Sequence, residues 1–209
     1  MMNLTPVQWV SHVVFHPFEG FENLRWKKAG SLKIALIIVT FLFAGMLVSD
    51  RLYGFQFKAV YDKVFNIVPY IVRSYVVFAA WVTGNWAVCS LINSEGTFRK
   101  ICIYSSYALV PYVVQLYVNT AVSHILIQDE VIFMQCIYYG SVIWSALLMF
   151  SAVKAVHQYT CFQTILAVAL TVAAMCIIMF ITVLLMSLFQ QVAIFIYELY
   201  TEIQYRIRV

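Results

Sequence analysis

Apolar residues fill five long runs, separated by short polar stretches: Leu32–Val48, Ile71–Ile92, Ile101–Ile127, Val131–Val153 and Thr164–Ile196. About 20 residues of helix cross a hydrocarbon core roughly 30 Å thick. Each run therefore predicts a spanning helix, and together they predict an all-α, polytopic bundle of about five transmembrane helices. The first run is short, with Lys33 and Ser49 placed to reach the two interfaces. It starts well inside the chain and stops sharply at Ser49-Asp50-Arg51, as a retained span does and a cleaved signal peptide does not. The fifth exceeds a perpendicular crossing. It is expected to tilt, or to continue past the membrane as a helix carrying Gln190, Gln191, Glu198 and Glu202. No repeat of fixed period accompanies these runs, so nothing points to an inverted-repeat transporter.

The stretch before the first run has its own periodicity. Thr5-Pro6 reads as an N-cap followed by proline in the first helical position. Trp9, Val10, Val13 and Val14 then recur at helical spacing until Pro17 and Gly20, which are expected to end the pattern. This predicts a short amphipathic helix at the membrane surface, anchored by Trp9, Phe15, Phe18 and Phe21, with Arg25, Lys27 and Lys28 facing anionic lipid headgroups. Between the first two spans, residues 49–69 carry Tyr53, Phe55, Phe57, Tyr61 and Phe65, as a loop lying along the outer interface would. The expected organisation is an N-terminal segment over 1–31, a transmembrane domain over 32–196 and an extracytoplasmic tail over 197–209.

Composition agrees with the pattern. Of the 209 residues, 64% are hydrophobic and 11% charged, with a mean hydropathy of +0.88. An average soluble domain is about 45–50% apolar and about 25% charged, and a soluble fold of this size has no means of covering the excess. The net charge of +4 is spread over the ends of the runs. Flanking charge of this kind anchors spans, and no basic stripe suggests nucleic acid. With the N-terminus inside, the cytoplasmic flanks collect Arg25, Lys27, Lys28, Lys33, Arg99, Lys100 and Lys154. The outer flanks collect Arg51, Lys58, Lys63, Arg206 and Arg208. The positive-inside rule then predicts a cytoplasmic N-terminus and an extracytoplasmic C-terminus in the cell membrane. The cysteines, Cys89, Cys102, Cys136, Cys161 and Cys176, form no CxxC or His-paired cluster and read as small buried hydrophobes. Cys161, at a segment edge, is the one lipidation candidate.

Polar side chains inside lipid are expensive unless partnered, and they mark the positions where function is sought. On the second span Arg73, Val77, Trp81 and Asn85 follow i, i+4 spacing, with Arg73 close enough to the end to snorkel. On the third, Tyr104, Tyr107, Pro111 and Gln115 share a face, with Asn119 one turn on. Pro111 removes a backbone hydrogen bond and predicts a kink. Two roles stay open for these stripes, dry helix–helix packing or the lining of a solute path. A second group gathers on the cytoplasmic side: His16, Glu19 and Glu22; Asn93, Glu95 and Arg99; Lys154, His157 and Gln158. Three separated segments meeting at one membrane face predict a shared polar surface, against the plainer reading that loops are polar because they are wet.

No catalytic constellation is visible. His16 and Glu19 are i, i+3 with a proline between them, no HExxH occurs, and there is no GxSxG, P-loop or glycine-rich dinucleotide fingerprint. The acids are all juxtamembrane, and no nucleophile is set beside His157. No enzyme activity, metal or cofactor is expected.

The sequence resembles bacterial members of the Yip1 domain family at His16-Pro17-Phe18-Glu19-Gly20-Phe21, Arg25 to Ser31, Asn85-Trp86-Ala87-Val88, Glu95-Gly96-Thr97-Phe98, Tyr107-Ala108-Leu109-Val110-Pro111-Tyr112 and His157-Gln158-Tyr159. Thr160-Cys161-Phe162 departs from the pattern, where a small residue is usual in the turn. The resemblance implies five membrane helices with a cytoplasmic N-terminus, no catalytic residues, and motif membership for Glu19, Asn85, Trp86, Glu95, Gly96, Tyr107, Pro111 and His157. It also implies, for bacterial members, genes often placed near those of carbohydrate ABC transporter components. The expected function is therefore a non-catalytic scaffold or accessory subunit in contact with membrane lipids and a membrane-protein partner, an ABC transporter permease being the partner implied. The alternative is a small transporter, channel or lipid-moving protein built on the polar stripes.

Overall fold

The computed structural model describes residues 5–27, 29–57, 65–91 and 96–208, with the side chains of all but Ile207 and Arg208. Lys28, Lys58, Tyr61, Lys63, Ile92, Asn93 and Glu95, named above, lie outside the described residues. The described chain is helical and contains no strand. Two short helices, α1 (Pro6–Phe15) and α2 (Pro17–Trp26), precede α3 (Leu32–Arg51). Four longer ones follow: α4 (Val68–Leu91), α5 (Phe98–Val122), α6 (Val131–His157) and α7 (Cys161–Arg208). The helices α3 to α7 are the five long and apolar enough to cross a membrane, and the protein is a multi-pass membrane helix bundle. Against the expected runs, α3, α6 and α7 continue further, α4 and α5 start earlier, and α5 stops at Val122, where the backbone turns through Ser123–Ile125.

The N-terminal segment departs from expectation. Pro17 follows the end of α1 at Phe15, as expected, but it also opens a second helix, because proline in the first helical position gives up an amide that had no partner anyway. Gly20 sits inside α2 and lets the α1 backbone approach: a Cβ there would stand 2.8 Å from Val13 Cα. The resulting pair of helices packs against α5 and α6. Trp9 and Phe21 are consequently buried in the main core, not anchored in lipid, and Phe21 stacks on Tyr104 with centroids 5.6 Å apart. Phe15 and Phe18 remain exposed, as anchors would be. At its start, α1 has the expected cap, with Gln8 Oε1 accepting from the Thr5 amide at 2.8 Å.

Two spans are locally irregular. In α4 a π turn covers Val72–Val76. The extra residue in that turn rotates Arg73 relative to the face that carries Asn85. In α5 the helix is interrupted at Leu109, ahead of Pro111. The break frees a donor, since the Tyr112 amide donates to Ser145 Oγ on α6 at 3.1 Å. The most extensive helix pair is α4 with α7. Small residues allow it: Gly84 on α4 faces Thr171 and Ala174 on α7, and a Cβ on Gly84 would stand 3.3 Å from the Met175 amide nitrogen.

Replacing Gly20 with leucine forces a side chain into the α1 backbone. It is expected to destabilise the protein by about 1–3 kcal/mol and to expose the N-terminal helices. Faster cleavage within residues 5–27 in limited proteolysis of the detergent-solubilised protein, with the spans intact, checks this.

Candidate functional site

The turn from α6 to α7 begins at His157, and the polar residues of three helices meet there. His157 Nε2 donates to Asn85 Oδ1 at 2.9 Å, Asn85 Nδ2 donates to Thr171 Oγ1 at 3.1 Å, and Thr171 returns its proton to the Ala167 carbonyl at 2.7 Å. His157, Asn85 and Thr171 are 4%, 1% and 0% exposed. Every polar atom along this path has a partner, which is the condition for burying it where no water reaches. The chain of donors fixes the amide orientation of Asn85 and the tautomer of His157 together.

Two further segments close over the histidine. Gly96 lies so near that a Cβ there would stand 2.3 Å from His157 Cε1, so only glycine fits. On the other side Arg25 Nη1 donates to the Ala155 carbonyl at 2.9 Å and approaches that of Val156 at 3.5 Å. These are orphan carbonyls of the last turn of α6, and a guanidinium suits both their lone pairs and the helix dipole. Gln158 completes the end with φ +56, a left-handed cap in which its own Nε2 bonds the Ala155 carbonyl at 3.2 Å. The Tyr159 ring stacks on His157 with centroids 5.3 Å apart.

The expected polar surface is therefore divided in two. Asn85, Gly96 and His157 form a clasp, two of them buried side chains. Glu19, Glu22, Trp86, Arg99 and Gln158 are exposed. Each of these lies in sequence close to Arg25 or a clasp residue, and Glu22 and Gln158 line one hollow with Lys154. His16 does not join them. The α1–α2 corner is fixed further along the bundle, where Trp144 Nε1 donates to the Val14 carbonyl at 3.0 Å, roughly 20 Å from His157 by helical rise. Glu95 lies outside the described residues. Arg25 and Thr171 carry as much of the geometry as any expected residue. Thr171 carries no role in the sequence reading above, and the one signal for it is its spacing with Thr164 and Ala167, which marks a small-residue helix face.

The intramembrane stripes also divide. Tyr104 and Tyr107 are 3% and 0% exposed in the core, and Tyr107 Oη accepts from the Ser31 amide at 3.3 Å. Pro111 borders an apolar groove between α1, α3 and α5. At the opposite end of the bundle, Arg73, Gln115 and Asn119 line a cavity of about 740 Å³. It is bounded by the end of α3, the start of α4, the second half of α5 and the start of α6. Gln115 and Asn119 are 6% and 5% exposed, and Gln115 Oε1 and Asn119 Oδ1 have no hydrogen-bond partner among the described residues. An acceptor left so costs about 1–3 kcal/mol. The segment after α3 is tied to the turn after α5, where the Gly54 amide donates to Ser123 Oγ at 2.9 Å and His124 Nε2 donates to the Leu52 carbonyl at 2.7 Å. Among the described residues no three His, Cys, Asp or Glu side chains come together as metal ligands would.

Substituting Asn85 with leucine strands the His157 Nε2 proton and the Thr171 hydroxyl acceptor, and should cost about 1–3 kcal/mol. Substituting His157 as well should cost less than the two single changes added, because they share one bond. Thermal unfolding of the four proteins in one detergent measures the coupling.

The family model described as the Yip1 domain matches residues 11–196 of the chain, from α1 to the far part of α7. No curated protein and no solved structure matches it.

Proposed function

The chain belongs to the Yip1 domain family, and from that footing we propose that it is a non-catalytic scaffold or accessory subunit of a membrane complex. The observation that supports this reading is the division at the His157 end. A buried clasp holds α4, α6 and α7 in fixed relation, and exposed Glu19, Glu22, Trp86, Arg99 and Gln158 stand close to it in the chain. A surface held by its own buried network is suited to docking, because little ordering is left to be done on binding. In this proposal the His157 end faces the cytoplasm, with the N-terminus inside and the C-terminus outside, following the Lys and Arg distribution. The partner is a membrane protein, an ABC transporter permease being the one implied by the sequence resemblance.

A second reading, a small transporter, channel or lipid-moving protein, is supported by the cavity at the Arg73 end, which Arg73, Gln115 and Asn119 of the polar stripes line.

Capture of the tagged chain from its own membranes in mild detergent is expected to recover a permease subunit. The charge reversals Glu22→Lys and Arg99→Glu together should lower that recovery several-fold while the chain still elutes as a single species. Repeated recovery of the chain alone would sink the scaffold reading. For orientation, an alkaline phosphatase fusion at the C-terminus should be active and an N-terminal one inactive; the reverse pattern overturns the assigned topology.

A further inference from the structure

The far part of α7 carries a pattern with a period of seven. Phe189, Ile196 and Ile203 recur at one heptad position and Leu185, Val192 and Leu199 at another, the two sets alternating at spacings of three and four. All six side chains are exposed, between 48% and 66%. The other side of the helix is mostly polar, with Gln190, Glu198, Thr201 and Gln204. A straight α-helix drifts away from a seven-residue repeat, and the repeat forms one continuous seam only when two helices wind around each other.

Position along the helix makes this seam a liability in a single copy. A bilayer with its headgroups is roughly 42 Å thick, which about 28 residues of helix cross. Counted from Cys161 at the start of α7, an upright helix therefore clears the membrane close to Phe189. Val192, Ile196, Leu199 and Ile203 then stand in water, where an apolar stripe calls for cover. None of the described residues supplies it, since α7 packs chiefly on α4 and α6 and its buried positions end at Thr171.

Laying the segment down on the membrane surface would cover the seam but needs a sharp bend. Bends occur at proline, glycine or a π turn. The helix runs unbroken from Cys161 to Arg208 and contains neither residue. Its far end is also poorly suited to anionic headgroups, because Glu198 and Glu202 offset Arg206 and Arg208 and Glu202 pairs with Arg206 at 2.8 Å. A second copy of the chain meets both conditions without a bend. Two copies inserted alike leave the membrane on the same face, whichever face that is, so the bilayer permits a parallel pair and forbids an antiparallel one. Ile196 and Ile203 at the first heptad position, with Leu199 at the fourth, are the combination that favours two strands in parallel coiled coils. We propose that the α7 seam from Leu185 to Ile203 pairs with the same seam of a second copy, as a parallel two-stranded coiled coil that makes the protein a dimer. The inference goes beyond both readings of function above and rests on neither.

The test places single cysteines on α7 of the full chain, in a background whose natural cysteines are replaced by serine, and oxidises them in reconstituted vesicles. Ile196→Cys, Leu199→Cys and Ile203→Cys should give disulfide-linked dimers in several-fold higher yield than Tyr197→Cys and Thr201→Cys, which face away from the seam. Equal linkage at all five positions, a preference for Tyr197→Cys and Thr201→Cys, or no linkage at any of them overturns the proposal. If linkage is absent and a fluorophore on Ile203→Cys is quenched by lipids with nitroxide headgroups, the seam belongs to the membrane surface instead. Light scattering of the protein in mild detergent gives an independent reading. Wild-type particles should contain two copies, and particles of the double variant Ile196→Lys with Ile203→Lys should contain one. Both substitutions fall on exposed positions, so thermal unfolding of the bundle should be unchanged in the variant. A single copy in the wild type overturns the dimer, and two copies in the lysine variant overturn the seam as its contact.

Discussion

An amide side chain that water cannot reach has to find its partners inside the protein, and at Asn85 that requirement organises the bundle. Its oxygen and its nitrogen point to different helices, so both are satisfied only when α6 and α7 stand in one arrangement around α4. Single hydrogen bonds between membrane helices contribute little, about 0.6 kcal/mol on average. Their weight lies in the alternatives they forbid, because any other register of α7 on α4 leaves a buried polar atom unpaired. The apolar contacts are permissive by comparison. Gly84 and Ala174 allow the close approach of the two helices but would allow it at neighbouring registers too.

The two ends of the bundle treat their polar residues in opposite ways. At the His157 end each donor on the path from His157 through Asn85 to Thr171 meets an acceptor, the last carbonyls of α6 are capped by Arg25 and Gln158, and Gly96 leaves no space beside the imidazole. At the Arg73 end the helices border a cavity of about 740 Å³, and the amide oxygens of Gln115 and Asn119 have no partner among the described residues. The local irregularities fall between these regimes. The π turn in α4 and the break at Leu109 in α5 each separate a closed half of a helix from the half that borders the cavity. A regular pair of helices would carry one stripe from end to end, and the stripe would then be uniformly dry or uniformly wet.

Much of this was legible from sequence and some was not, for identifiable reasons. Hydropathy gives the spans because a bilayer imposes one length on every crossing helix. Gathering of the Arg25, Asn85, Gly96 and His157 segments at one end follows from counting crossings. The fate of a polar residue is less legible, since spacing places Tyr107 and Gln115 on one face but cannot tell that one meets the Ser31 amide and the other a void. The N-terminal pair was missed for a different cause. Proline and glycine at positions 17 and 20 carry the same local signal whether they stop a helix or start and thin one, and only the partner surface on α5 and α6 decides. Arg25 illustrates the general case: as a flanking cation it is ordinary, and its role appears only once the end of α6 is beside it.

One helix is far longer than any membrane needs. The 48 residues of α7 amount to about 72 Å at helical rise. Its buried positions end at Thr171, and from Val183 to Arg206 every side chain is exposed. Mechanically it is a mast stepped at one end, gripped at its foot by the pair of residues Gly84 and Asn85 and unsupported along its remaining length. Leverage follows from those proportions: a swing of roughly 10° about Ala174 carries the tip by roughly 9 Å, given about 50 Å of helix beyond that point. A sub-ångström adjustment at the foot, of the size a single hydrogen bond tolerates, is thereby magnified into a displacement on the scale of a side chain at the far side of the membrane.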